Sequence, residues 1–294
     1  MKACIQKFQS ALGASERGVL QQCLHEALQP LPKNAVPWFL SDSKTPAGYL
    51  TPAHADVLRS LRQNWKPIPQ GLIWDLPGST YAARSEELSQ IALELHDLGF
   101  VKGWRNEKFA FWSDDVIVFA GVCLEPTHHL PAKFEMERAA FKFFGLRSHA
   151  VHVNGFTQDG HVWCGRRSPN KSTDPGMLDN IAAGGLPVDE KVHACGIREM
   201  AEEAGISESL ALTAMPLGQI STSRSVIHGW HHETLWVYNL LVPNDVHPRN
   251  QDGEVSDFTL MSPRQVVEAI AAKEMTLDAA CVIAHTVLHA GSQD

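Results

Sequence analysis

Six cysteines stand in this 294-residue chain, and no two of them form a CxxC pair. Cys4, Cys23, Cys123, Cys164, Cys195 and Cys281 are scattered, so neither a zinc knuckle nor a disulfide framework is laid out, and a reducing compartment fits. Long apolar runs are missing as well. No stretch approaches the ~18 uncharged apolar residues of a membrane span, and the opening MKACIQKFQSALGASERGV lacks the continuous apolar core of a secretory signal. The expectation is a soluble, cytoplasmic protein with no membrane partner. A basic excess is absent too: 25 Lys and Arg against 33 Asp and Glu leave a formal charge of -8. That balance argues against a nucleic-acid footprint, so an anionic ligand must be held by local arginines or by bound cations. There is no internal repeat and no low-complexity run.

What is present is ordinary for a globular chain: 44% hydrophobic and 20% charged residues allow a sizeable core. The length suggests two domains or one enlarged domain. The first 145 residues read as a helix-rich, irregular module. Thr51 followed by Pro52 supplies a cap and first turn for AHADVLRSLRQN, and Ser85 opens a helix over EELSQIALELHDL that Gly99 can close. Pro67, Pro69, Pro77 and Gly78 mark loops between them. A further helix is expected from Ala132 to Phe144, stopping at Gly145, where we place the boundary between residues 1–145 and 146–294. Beyond it the texture changes. AVHVNGF, the turn Asp159-Gly160 and HVWCGRR read as a β-hairpin; TLWVYNLLV and VSDFTLM read as strands. Ser262-Pro263-Arg264-Gln265 is a capping box that starts a helix over VVEAIAAKE. The fold class expected is α/β (α+β).

Between these strands lies the most informative stretch, GGLPVDEKVHACGIREMAEEAGI, residues 184–206. With about 100° per residue, a helix from Val188 to Ala204 sets Glu199, Glu202 and Glu203 on one face. Met200, Ala204, Ile197, Ala201 and Ala194 make an apolar stripe on the other side, expected to dock on a sheet. Glu199 and Glu203 repel at i,i+4 by roughly 0.2–0.5 kcal/mol, and no lysine four residues on relieves them. A solvated acidic surface is one reading. A seat for a hard divalent cation, Mg²⁺ or Mn²⁺, is the other, since such an ion turns the repulsion into attraction.

The spacing itself is specific. Gly184, Glu190 and then Arg198-Glu199-Met200-Ala201-Glu202-Glu203-Ala204-Gly205-Ile206 resemble the Nudix box without a departure. The stretches GWRNE (Gly103–Glu107), ERAAFKFFG, WCGRRSPNKSTDPGMLDNIAAGG and PRNQDGEVSDFTLMS are similar to the thiamine pyrophosphokinase-related branch, in which an N-terminal domain of unknown function precedes the hydrolase. The resemblance implies an α/β/α sandwich with a mixed sheet that hydrolyses a diphosphate linkage with Mg²⁺ or Mn²⁺. Thiamine diphosphate or its oxidised forms are the substrates it points to. It implies Glu202 and Glu203 as metal ligands, Glu199 as ligand or base, the Ala183 carbonyl as a further ligand, Arg198 orienting Glu199, and Glu190 as a partner of Arg198. A nucleotide pyrophosphatase and a non-catalytic ligand sensor are the competing readings.

Around the box, Glu254 sits where Nudix proteins often place one more acidic ligand or base; a plain strand-edge glutamate is the alternative. Arg166, Arg167 and Lys171 lead into the box and are candidates for the outer phosphate, with Arg224 a further one. Solvent-facing charge is their other reading. Trp163, Trp230 and Trp236 are core or stacking candidates for a flat ring. His285 with His289, and the cluster His228, His231 and His232, suggest zinc, but no carboxylate or cysteine completes either set at familiar spacing. They read as core or surface histidines. Cys164 invites an isomerase reading, against which a small buried thiol stands. The first 145 residues can cap the pocket, form a homodimer or bind a partner.

Overall fold

The computed structural model describes residues 1–76, 78–113 and 132–289; Pro77 and Cys123 lie outside them. Two helices open the chain, α1 (Lys2–Ser10) and α2 (Ala14–Ala27). There follow β1 (Val36–Leu40), β2 (Gly48–Leu50), α3 (Pro52–Leu61), β3 (Trp65–Ile68), β4 (Gly71–Trp74) and α4 (Tyr81–Asp97). The hairpin strands β5 (Lys108–Phe111) and β6 (Phe134–Glu137) lead through a short turn into α5 (Phe141–Phe144). The rest comprises β7 (Arg147–Phe156), β8 (Val162–Arg167), β9 (Leu178–Asp179), β10 (Ala182–Gly185), α6 (Val192–Ala204), α7 (Glu208–Ala211), β11 (Met215–Val226), β12 (Gly229–Leu241), β13 (Val255–Met261), α8 (Pro263–Ala271) and α9 (Leu277–His289). Among the described residues no helix is long and apolar enough to cross a membrane.

Thr51 caps α3 as expected, its hydroxyl accepting from the His54 amide at 3.1 Å. Helix α4 starts earlier than Ser85 because Thr80 takes the cap, accepting from Ala83 N at 3.2 Å, while the Ser85 hydroxyl donates back to Tyr81 O. The helix expected over 132–144 is largely absent. Phe134 and Met136 are buried in alternation, and FEME pairs antiparallel with KFAF, leaving a 3-10 turn over Arg138–Ala140 and only the last four residues α-helical. The Glu137 carboxylate accepts from the amides of Arg105, Glu107 and Ala139, which ends the strand and ties it to the preceding loop. Strand β11 went unread in the sequence because GQISTSRS carries too few apolar residues to alternate.

Strands run β2-β1-β4-β3 in the smaller sheet and β11-β12-β7-β8-β13 in the larger, with β10 added to β7 and β9 to β8. Strands β7 and β12 are parallel; their other neighbours are antiparallel. Val151, Val153, Trp236 and Tyr238 pack with α6 through Val192, Cys195 and Met200. From the next positions along the same strands, Ala150, Leu235 and Val237 pack with Val282 of α9. Alternate residues therefore serve opposite faces, and the mixed sheet lies between helices. The smaller sheet has its own core around Trp38, Trp74, Phe134 and Phe144. Helices α1 and α2 pack with the larger sheet and its helices: Phe8, Leu20 and Cys23 cluster with Phe156, Val162 and Cys164 of β7 and β8 and with Val266, Cys281 and Ala284 of α8 and α9.

Two histidines in the larger sheet carry a pH signature. Burial, reinforced by Arg147, pushes His149 from 6.5 down to about 3, and burial does the same to His232. The Trp236 indole donates to His149 Nδ1 at 3.3 Å, as a neutral ring requires. In the unfolded chain both rings take up protons below about pH 6.5, so this contribution to stability is full above that pH and declines as pH falls. Each ring is expected to cost up to about 1.4 kcal/mol per pH unit in that window. Urea midpoints measured from about pH 7.5 to 5 should fall, and His149→Gln should flatten the slope; an unchanged slope would refute the assignment.

Candidate functional site

Helix α6 is fixed at both ends by local chemistry. Gly205 takes the left-handed conformation, φ 62°, and its amide and that of Ile206 close on Ala201 O and Met200 O at 3.1 and 3.0 Å. From mid-helix the Arg198 guanidinium forks back onto Glu190, just ahead of the first turn, with Nε–Oε1 2.9 Å and Nη2–Oε2 2.7 Å. Its remaining nitrogen reaches Glu199 Oε1 at 2.8 Å and Glu202 Oε2 at 2.9 Å. Bidentate pairing to Glu190, despite partial burial, holds the guanidinium firmly charged.

The buried face of α6 differs from the one expected. Ala194 and Ala201 are exposed, while Val192, Cys195, Gly196, Met200, Glu203 and Ala204 are buried. Val192 and Cys195, in the helix's first turns, share the face of Glu199 and Glu203. The acids therefore sit at the centre of the docked side and not opposite it, turned toward β10. Glu203 is 6% exposed, and its Oε2 accepts from the Ala183 amide at 2.9 Å. Glu199 is inserted against Gly184: a Cβ there would stand 1.9 Å from Glu199 Oε1 and 2.0 Å from its Cδ. Glu202 remains half exposed.

Burial pushes the Glu203 carboxyl well above the usual carboxylate range, with the neighbouring Glu199 charge adding to it. Burial raises Glu199 as well, against the pull of Arg198. Glu254 arrives from the loop before β13, set by successive side-chain turns in which Asn250 Oδ1 accepts from Gly253 N and Asp252 Oδ1 from Glu254 N. Burial would raise Glu254, but the Lys171 ammonium bonded to it outweighs that and leaves it low. Lys171 Nζ also lies 4.0 Å from Glu203 Oε1. Far from being solvent-facing, Lys171 is a second cation among these acids, beside Arg198.

Glu199, Glu202, Glu254, Ala183 and Lys171 line one cavity of about 370 Å³. Glu203 stands just behind that lining. Hard oxygen donors, crowded together and in Glu199 and Glu203 dehydrated by burial, suit a divalent cation of the Mg²⁺ type. The other expected residues are less uniform. Arg167 lines the cavity but is engaged by Asp179 at 2.7 Å and by the carbonyls of Thr173 and Asp174. Arg224 lines it too, forked onto Asp278. Arg166 does not; it donates to Gly176 O and lies 3.8 Å from Asp257. Trp163 is also away from the cavity, edge-on to His247, and Trp230 and Trp236 are buried. Cys164 is buried, its thiol pushed up to about 12 by burial.

Sequence reasoning missed the other wall. Arg105 and Arg138, with Lys102 and Lys142, enter the same cavity from the first half of the chain, beside Phe109 and Phe141. Arg105 Nη2 lies 3.4 Å from Ser172 Oγ, and Arg138 pairs with Glu107 and covers the Phe109 ring at 5.0 Å. The Phe109 ring tip would meet a Cβ on Gly185 at 2.3 Å, so the two halves touch at the start of the acidic loop. The signal lies in GWRNE and ERAAFKFFG, the branch-like stretches that carry Arg105 and Arg138.

Comparison with known proteins adds to this geometry. The model of the NUDIX domain matches residues 145–285. Nudix hydrolase 20, chloroplastic, of Arabidopsis thaliana is 36% identical over 190 residues, 64% of this chain and 47% of that protein. The chain thus spans about half the length of the plant relatives it matches. An uncharacterised Saccharomyces cerevisiae protein is 30% identical over 234 residues, 71% of this chain and 62% of that one. A crystal structure of a Deinococcus radiodurans protein aligns with a TM-score of 0.42 at 21% identity, over 63% of this chain and 99% of that one. A Nudix hydrolase of the same bacterium is 30% identical over 124 residues, 42% of this chain and 68% of its own length. With that relative covered for more than two thirds of its length and the family model matched across the larger sheet, the chain belongs to the Nudix family.

Proposed function

We propose that this chain hydrolyses a diphosphate linkage in a small organic substrate, with Mg²⁺ or Mn²⁺ held by Glu199, Glu202, Glu203, Glu254 and the Ala183 carbonyl. The observation that carries the reading is the burial of Glu199 and Glu203 together against β10, a placement that costs stability unless a cation joins them. Bound there, a divalent ion supplies charge screening at the phosphates and a more acidic water. Arg198 holds Glu199 in register through its fork on Glu190. Lys171 and Arg105 neutralise the outer phosphate. We further propose thiamine diphosphate or its oxidised derivatives as substrate. In support, the branch-like stretches GWRNE and ERAAFKFFG are the ones that bring Arg105 and Arg138 to the cavity. The chain divides near residue 145 in this proposal, with α1 and α2 going by packing with the second unit.

Purified protein with Mg²⁺ should release phosphate and the monophosphate from thiamine diphosphate and oxidised thiamine diphosphate, faster than from nucleoside triphosphates or nucleotide sugars. Failure on all of them sinks the hydrolase; preference for the nucleotides sinks the substrate. Arg105 is exposed and tied to the fold by little else, so Arg105→Ala is expected to raise KM about tenfold with kcat little changed, the signature of lost uniform binding. A kcat loss with constant KM would remove it from substrate contact.

A further inference from the structure

One group of side chains in the cavity has no part in the diphosphate chemistry. His231 and Glu233, two residues apart on β12, share a face, and Asp278 reaches them from the first turn of α9. All three line the cavity. His231 is 6% exposed, yet among the described residues its Nε2 has no hydrogen-bond partner, an expensive omission for a buried polar atom. It stands 3.6 Å from Glu233 Oε2 and 3.6 Å from Asp278 Oδ2, beyond hydrogen-bond range. These gaps are close to the spacing of two ligands around one ion, since donors at about 2.1 Å from a metal stand roughly 3.0–3.4 Å apart. The three ligand atoms all fall within 4.8 Å of one another.

The supporting contacts of a metal site are also in place. Ser148 Oγ donates to Glu233 Oε1 at 2.7 Å, fixing that carboxylate and leaving Oε2 turned to His231. Arg224 donates to both oxygens of Asp278 at 2.7 and 2.8 Å. Carboxylates that ligate metals are oriented by such outer hydrogen bonds. Arg224 offsets one of the two carboxylate charges, and the other remains for a cation. The group is separate from the acidic helix: Glu233 pairs with Ser148 and Ala183 with His152, four residues along β7 and roughly 13 Å apart. Two ions sharing one centre stand about 3.5–4 Å apart.

We propose that His231, Glu233 and Asp278 form a second metal site, which takes a first-row transition ion such as Zn²⁺, Co²⁺ or Mn²⁺ in preference to Mg²⁺ because one ligand is an imidazole nitrogen. Its open positions face the cavity, where they offer a cationic anchor for an oxygen of the bound molecule. The site does not depend on the diphosphatase reading.

The test titrates Co²⁺ into the full chain carrying Glu199→Gln, Glu202→Gln and Glu203→Gln, which removes the three acidic-helix ligands. One equivalent should bind, with a visible absorption spectrum of imidazole ligation and a rise in unfolding temperature. Adding His231→Ala, or Asp278→Asn, should weaken binding at least tenfold, with Mg²⁺ failing to compete. Melting curves without metal check that each variant folds, and Glu233→Gln substitutes for one that does not. No bound Co²⁺, or equal affinity in the folded variants, overturns the proposal. Absence of hydrolysis by the parent protein with Co²⁺ binding intact would leave this site standing and remove only the diphosphatase reading.

Discussion

Glutamine in place of Glu203 is expected to abolish Mg²⁺-dependent phosphate release while making the metal-free protein more stable. The two effects share one cause. Glu203 is 6% exposed, holds among the described residues a single hydrogen bond, from Ala183 N, and faces the Glu199 charge, so its carboxylate is dehydrated and repelled. The substituted amide keeps the shape and the acceptor for the Ala183 N–H but removes the charge. Activity should fall by more than the ~100-fold that loss of an outer-shell partner costs if Glu203 is, as proposed, a direct ligand. The sign for stability is set by linkage. A carboxyl whose folded pKa is raised carries a penalty that is full above the raised value and fades as pH falls through it toward the ordinary carboxylate range. The variant should therefore melt higher than the parent in chelator near pH 7, by on the order of 2–4 °C for each kcal/mol relieved, and the gap should close on acidification. Adding Mg²⁺ should stabilise the parent alone. Equal activity, or a variant that melts lower in chelator, would show that these acids are not a strained seat for a cation.

The same residues show how far the sequence could be read. Spacing alone placed Glu199, Glu202 and Glu203 on one helix, and Gly205 ended it, because those are properties of i,i+3 and i,i+4 neighbours and of a left-handed cap. What spacing did not reveal was which way the helix faces. Val192 and Cys195 anchor its first turns, and they turn the acids into the interface with β10 and leave Ala194 and Ala201 outside. Likewise FEMERAAFKFF suits a helix by composition, but the burial of Phe134 and Met136 against a hairpin partner decides for a strand. Residues far apart in the chain were the least legible. Lys171 meets Glu254 across 83 positions, and Arg105 reaches Ser172 across 67. His231 finds Asp278 beyond any familiar ligand spacing, so the pair His231 and Glu233 acquires its second carboxylate only in three dimensions.

Alanine at Gly184 is expected to disable the site without touching a charged group. Its Cβ would stand 1.9 Å from Glu199 Oε1, 2.0 Å from Cδ and 2.6 Å from Cγ, all shorter than any contact such atoms adopt. Either Glu199 leaves or the backbone of β10 moves. The strand cannot withdraw cheaply, because it pairs with β7 along Ala182–Gly185 and Phe109 presses on Gly185 from the other half. The helix is held in turn by the Arg198–Glu190 fork and by buried Met200. The side chain of Glu199 is therefore what yields, losing its 2.8 Å contact with Arg198 and its place in the cavity. A displaced ligand or base should lower kcat by about 100-fold, and Mg²⁺ affinity should weaken with it. Gly18→Ala is the control: that glycine lies inside α2 with nothing within 4 Å of a built Cβ, so the change should leave kcat alone and add about 0.5–1 kcal/mol of stability. If Gly184→Ala kept both full turnover and Mg²⁺ affinity, Glu199 would not be working against β10, and the site would have to be sought elsewhere in the cavity.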